Sequence, residues 1–91
     1  MIREVVEVEN KLGLHARAAA KLVRLVSSFS SHILVSREGT TEVVEAASIL
    51  GILMLAAARG TRLVFSINGQ DEVEAGEAIR GLFAGRFGEE G

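Results

Sequence analysis

The chain has no cysteine, proline, tyrosine or tryptophan, and only two of its 91 residues are histidine. Without cysteine there is no disulfide, no thiolate zinc site and no cysteine-held iron–sulfur cluster, which fits a reducing compartment. Four phenylalanines as the sole aromatics leave little on which nucleic-acid bases could stack. Charge of one sign is also missing. Ten Lys and Arg against twelve Asp and Glu give a formal net charge of −2, the wrong balance for neutralising a phosphate backbone. The longest apolar run, "AASILGILMLAAA" from Ala46 to Ala58, stops well short of the roughly 20 residues that a bilayer-spanning helix needs. No nucleic acid and no membrane insertion are therefore expected. The amino-terminal "MIREVVEVEN" alternates apolar and charged residues and does not read as a secretory signal. A single domain over residues 1–91, monomeric, cytoplasmic and built on one core, is the expectation.

What is present is periodic. In "IREVVEVE", Ile2, Val6 and Val8 alternate with Arg3, Glu7 and Glu9, the pattern of a strand with one wet face, although Glu4 and Val5 are out of phase. Gly13 breaks that pattern. From Ala16 the spacing becomes helical, with Ala19, Leu22, Val23 and Val26 on one side and Phe29 closing the helix. "HILVSREGTTEVVEA" reads as a hairpin: Ile33 and Val35 lead up, a glycine turns the chain, and Val43 and Val44 lead down. The apolar run from Ala47 is rich in strong helix formers and predicts a second helix. "RLVFSI" follows as a strand with Leu63, Phe65 and Ile67 on one face. In the last helical segment Ala75, Ala78, Ile79, Leu82 and Phe83 make the stripe, with Asp71 and Glu74 in capping-box positions. "GRFGEEG" reads as a fraying acidic end. The order β-α-β-β-α-β-α predicts an α+β fold of two layers, a four-stranded antiparallel sheet with three helices on one face.

One of the scarce histidines, His15, falls in "NKLGLHARAAAKLV" where the first helix begins. A helix amino terminus offers unpaired N–H groups and partial positive charge, which attract an anion and discourage protonation of an imidazole. One ring nitrogen is then free as a nucleophile, and a phosphoryl group on it would meet the helix amides. Arg17 adds a charge-assisted hydrogen bond. Taken alone, the same three residues also fit a surface histidine in a loop.

The wider segment closely resembles the active-site segment of the HPr family, the histidine phosphocarriers of the bacterial phosphotransferase system. "ASILGILML", where a serine opens the second helix, matches the family's second recognisable segment, and the element order matches its open-faced β-sandwich. The resemblance runs from the first strand to "GLFAGRF". It implies that His15 accepts a phosphoryl group from phosphoenolpyruvate by way of enzyme I and hands it to a histidine of an EIIA-type acceptor. Arg17 would steady the group, with the amides of Ala16 and Arg17 contributing. It implies a carrier rather than an enzyme, with no cofactor and no metal.

One position departs from the family. Ala18 stands where most relatives have proline, whose missing N–H would have no helical partner there anyway. Transfer chemistry is expected to survive this change with an altered rate or partner preference. Ser48 has two readings: a small residue near a helix start, or a site for the kinase/phosphorylase that modifies the matching serine in many relatives. Glu45, Ala46 and Ala47 precede it in place of the usual basic residue. The apolar run is either fully buried or presents Leu50, Leu53 and Met54, with Ala20 and Arg24 of the first helix, to partners. His32 reads as a surface residue, because two histidines without further ligands do not make a zinc site. The sugar-uptake branch is the leading reading. "GTTEVVEAASILGILMLAAARG" and "GLFAGRFGEE" lean toward the nitrogen-related branch, whose carriers are called NPr. A third class, a regulatory binder that has lost transfer, is disfavoured by the presence of His15 with Arg17.

Overall fold

A computed structural model describes residues 1–89 of the chain. Its elements are β1 (Ile2–Glu7), α1 (Ala16–Ser27), β2 (His32–Arg37), β3 (Val44–Glu45), α2 (Ile49–Met54), β4 (Arg62–Asn68) and α3 (Glu72–Ala84), then a closing turn at Arg86–Gly88. The strands form one antiparallel sheet in the order β1-β4-β2-β3, and the three helices cover one face of it. This is the open-faced two-layer sandwich that the periodicity implied.

β4 lies between β1 and β2, so its alternation is held from both sides. Ile2 pairs with Ile67 and Val6 with Leu63 across one edge, Ile33 with Ile67 and Val35 with Phe65 across the other. Leu63, Phe65 and Ile67 are fully buried, as the sequence indicated. Onto them pack Ala18, Ala19, Leu22 and Val26 of α1, Ile52 of α2, and Ala75, Ile79 and Phe83 of α3. Phe29 sits two residues beyond α1, half-buried against the core, with its N–H donating to the carbonyl of Val26.

The apparent phase slip in β1 is no slip. Val5 points outward and is exposed, while Glu4 turns inward at the sheet edge. Its aliphatic stem lies against α3 at Gly76, where an added Cβ would stand 3.1 Å from Glu4 Cγ and from Ile2 Cδ1. Its carboxylate then reaches Arg80 Nε at 3.7 Å. A carboxylate can keep an inward strand position when its stem is apolar cover and its head finds a cation at the rim.

Three expectations require correction. The hairpin's descending arm is only Val44–Glu45, and Val43 is exposed outside it. The second helix is half the length of the apolar run: it stops at Leu55, Ala56 takes a left-handed φ of 49°, and the Ala57 carbonyl accepts from the Leu14 N–H. The run leaves the helix because its last carbonyls are needed elsewhere. Finally, Asp71 is the residue at the start of α3 but makes no side-chain cap. Its carboxylate instead accepts from the N–H groups of Ser30 and Ser31, at 2.8 and 3.0 Å, and from the Ser31 hydroxyl, tying the α1–β2 loop to α3. Glu72 replaces it locally, accepting from the Gly69 N–H.

The Ser31 hydroxyl, followed by the Ser30 N–H, holds the Asp71 carboxyl below its usual value of 3.8. Because the folded value is the lower one, this contribution to stability is complete above the unfolded value and is lost as pH falls through the folded one. Asp71→Asn is therefore expected to lower the melting temperature most at about pH 5 and above, with the gap from the parent chain closing toward about pH 2. Thermal melts across that range measure it; a gap that stays constant with pH would refute the assignment.

Candidate functional site

The end of β1 is pinned to the start of β4: the Val8 N–H donates to Thr61 O at 2.9 Å and the Gly60 N–H to Val8 O at 2.7 Å. The chain then turns at Asn10, whose fully buried side-chain amide donates to the Gly13 carbonyl at 2.8 Å. Gly13 has a φ of +68°, and a Cβ there would stand 2.6 Å from Ala57 O. Only glycine allows both the left-handed backbone and that close approach. Leu14, buried, donates its N–H to the same Ala57 carbonyl. The residues before the histidine are thus fixed by the loop after α2.

His15 is the N-cap residue of α1, with extended backbone (φ −75°, ψ 178°). Its carbonyl accepts the first helical bond from the Ala19 N–H at 2.8 Å. Its Nδ1 faces the helix end and accepts from the Arg17 N–H at 3.3 Å. An imidazole here does the work usually given to Ser, Thr, Asp or Asn. No acidic residue occupies the first turn of α1 to compete for an anion. Ala16 and Arg17 are exposed, so the amide end of the helix and the guanidinium stem open to solvent. Ala18 is fully buried against the core, and its N–H precedes the first helical bond.

The other ring nitrogen has a partner that the sequence reading missed. Nε2 lies 2.6 Å from Oε2 of Glu89, whose Oε1 accepts from Asn10 Nδ2 at 3.0 Å. Burial alone would raise the Glu89 carboxyl, but the Asn10 amide, the His15 ring and the charge of Lys21 outweigh it and hold the group below the usual carboxylate range. The segment read as fraying is fixed through Glu89; Glu90 and Gly91, its last two residues, lie outside the described part. Arg86, Phe87 and Gly88 take left-handed φ values of 55°, 56° and 75°, which fold the tail back. Phe87 is buried, edge-on to Phe83 at 4.8 Å between centroids, and Phe83 is edge-on to Phe65 at 5.7 Å. Lys21 Nζ then donates to Phe87 O at 2.6 Å. The signal available in the sequence was Phe87 itself, a large apolar residue between two glycines in a polar tail.

The second segment is arranged as follows. Ser48 is the N-cap of α2, its Oγ accepting from the Gly51 N–H at 3.1 Å. Leu50 and Met54 are each 66% exposed and Leu53 and Ile49 are exposed as well, so the apolar run is only partly core. α2 packs against α1, on which Ala20 is half-buried and Arg24 exposed. His32 is at the surface, paired with the carboxylate of Glu45 at 2.8 Å. Among the described residues no three His, Asp or Glu side chains are grouped to hold a metal ion, and no helix is long and apolar enough to cross a membrane.

A small α+β sandwich that presents a histidine at a helix amino terminus, with backbone N–H groups beside it, is a scaffold that can hold an anion next to the ring. The comparisons place it more closely. The family model described as "PTS HPr component phosphorylation site" matches residues 2–85. The phosphocarrier protein HPr of Cupriavidus necator is 46% identical over 98% of both chains, and the phosphocarrier protein NPr of Klebsiella oxytoca 39% identical over 98% of both. The crystal structure of HPr-C-His from Thermoanaerobacter tengcongensis superposes with a TM-score of 0.92 at 42% identity, covering 99% of each chain. The chain belongs to the HPr/NPr family of phosphocarrier proteins of the phosphotransferase system, whose members carry a phosphoryl group and are not enzymes.

Two substitutions test how the loop and α2 are held. Gly13→Ala should cost more than about 1 kcal/mol, because it adds both strain and a clash with Ala57 O; urea denaturation reads this directly. Ser48→Ala should cost about 1 kcal/mol, and Ser48→Asp, which restores a capping oxygen, much less.

Proposed function

We propose that His15 takes a phosphoryl group from phospho-enzyme I, itself charged by phosphoenolpyruvate, and passes it to a histidine of an EIIA-type acceptor. The observation that carries this reading is the placement of Nδ1. It accepts a hydrogen bond from the Arg17 N–H, so it holds a lone pair, and it faces the positive end of α1. A phosphoryl group formed on Nδ1 would displace that weak contact and bring its oxygens to the amides of Ala16 and Arg17. The Arg17 guanidinium, exposed and on the same turn, supplies the compensating charge. Such a site holds the group without burying it, which suits a carrier that must release it to the next protein.

Residues 1–91 act as one domain in this reading, in the cytoplasm where the charged donor and the acceptors meet. Leu50, Leu53 and Met54, with Ala20 and Arg24, form the surface that partners cover. Exposed apolar side chains of this number on so small a domain are expected to be buried in a complex. Ser48 is held as a cap, and a kinase that modified it would have to break its bond to Gly51. The sugar-uptake branch is favoured over the nitrogen branch because the HPr relatives reach 46% identity and the NPr relatives 39%.

Incubation with phosphoenolpyruvate and a cognate enzyme I should give an acid-labile phosphohistidine. His15→Ala should abolish the label, and Arg17→Ala should slow transfer by about tenfold or more, the worth of one charge-assisted hydrogen bond. Label that persists in His15→Ala would overturn the reading. Competition between an EIIA of each branch for the labelled carrier decides the branch.

A further inference from the structure

The proposed transfer uses Nδ1 of His15 and leaves the contact on its other nitrogen unexplained. Nε2 and Glu89 Oε2 are 2.6 Å apart, the distance of a charge-assisted hydrogen bond. Glu89 is not a loose surface acid. Asn10, fully buried, grips its second oxygen while also gripping the Gly13 carbonyl, and Phe87 and Lys21 anchor the turn that delivers it. The two acceptors around Asn10 Nδ2 fix which way that amide points; its Oδ1 has no hydrogen-bond partner among the described residues. A buried asparagine that leaves one oxygen unsatisfied in order to hold a carboxylate beside a ring marks a group whose position matters.

The protons can be assigned from the partners. The carboxylate has none to give, since its surroundings keep it ionised, so the hydrogen in the short contact belongs to Nε2. The Arg17 N–H can only donate, so Nδ1 carries the lone pair. Each nitrogen's role is thus set by what faces it, as a histidine's tautomer is set wherever its second nitrogen meets a carboxylate.

Building on the phosphocarrier reading, we propose that Glu89 is a positioning residue that keeps the proton on Nε2 throughout the transfer cycle, so that Nδ1 is always the reacting nitrogen. In the first step the Nδ1 lone pair attacks the phosphorus of the donor's phosphohistidine. The Nδ1–P bond forms, the donor's N–P bond breaks, and that pair returns to the donor ring. The product ring keeps its Nε2–H and is a phospho-imidazolium whose positive charge lies against the Glu89 carboxylate. In the second step the Nδ1–P pair returns to Nδ1 as the acceptor is phosphorylated, and the neutral ring reappears with the same tautomer. No proton is exchanged with water at either step. Keeping the ring cationic while it is charged makes it a good leaving group, which keeps the group easy to hand on.

Glu89→Gln tests this, because the glutamine oxygen can still accept from Asn10 and Phe87 and Lys21 stay in place, while the charge is removed and Nε2 faces an amide N–H donor instead of a carboxylate oxygen. Nitrogen-15 NMR of the His15 ring in the unphosphorylated chain, at a pH where the ring is neutral, should show Nε2 protonated and Nδ1 bare in the parent. In Glu89→Gln the two shifts should move toward each other as the tautomers mix. Phosphoryl transfer to an EIIA should slow by about tenfold, and the phosphohistidine should survive longer in water, since both reactions need the same leaving group. Glu89→Asp, which keeps the charge, should recover part of the rate. A residue that merely anchored the tail would lower the melting temperature and leave ring shifts, transfer and lifetime as they were. Ring shifts that do not change, or transfer that is unaffected, overturn the proposal. The ring shifts are read without any phosphorylation, so a parent chain that fails to take label sinks the phosphocarrier reading and leaves the tautomer assignment to be judged separately.

Discussion

The structure hangs on β4. It is hydrogen-bonded on both sides, and its inward residues Leu63, Phe65 and Ile67 are the floor on which the helices rest. Each of these side chains contributes about 1.5–3 kcal/mol on burial, so one strand concentrates much of the apolar free energy of a small domain. The consequence for the site is geometrical. Thr61, at the start of β4, fixes where β1 ends, and the loop between α2 and β4 supplies the carbonyl against which Gly13 and Leu14 lie. From Phe65 a row of edge-to-face aromatics runs through Phe83 to Phe87 and carries the tail to the histidine. The same strand therefore locates both sides of the His15 ring.

The site itself opposes two fields. The end of α1 presents partial positive charge to Nδ1, and Glu89 presents a full negative charge to Nε2. The first suits an anion and the second suits a ring that carries positive charge. The two are about one imidazole apart, so the ring lies along the field instead of across it. A carrier needs little more than this from its own residues, because substrate recognition and turnover belong to the proteins it meets.

The sheet and two of the helices were legible because their patterns are local. Alternation in β4 and the stripes of α1 and α3 announce which faces are buried; Val23, Ala78 and Leu82 of those stripes are only half-buried, and the buried Ala18 and Gly76 were not picked out. Local reasoning failed where a long-range partner claimed a group that the local rule had already spent. Asp71 has the composition of a cap but is drawn to Ser30 and Ser31 across the fold. The apolar run after Ser48 has the propensity for a longer helix, yet Ala57 is needed by the histidine loop. At the site, His15 was readable from its place before a helix, whereas Asn10 and Glu89 were not. Nothing in the local sequence around an acidic tail says which ring it will face.

The strand first in the chain is also the one whose partner comes last. β1 spans Ile2–Glu7 and, among the described residues, its one neighbour in the sheet is β4, Arg62–Asn68, so the amino-terminal segment stays unpaired until most of the chain exists. Contacts that join distant parts of a chain must bear the cost of closing a long loop before they return any stability, and they set a slow clock on folding. During that interval β1 is free on both sides, and in the finished sheet it remains an edge strand; the exposed charges of Arg3 and Glu7 discourage it from pairing with a neighbouring molecule. The histidine inherits this timing. A nascent chain stalled before β4 would already contain His15, Ala57 and Thr61, but not the strand whose pairing with β1 holds the loop before His15 in its place.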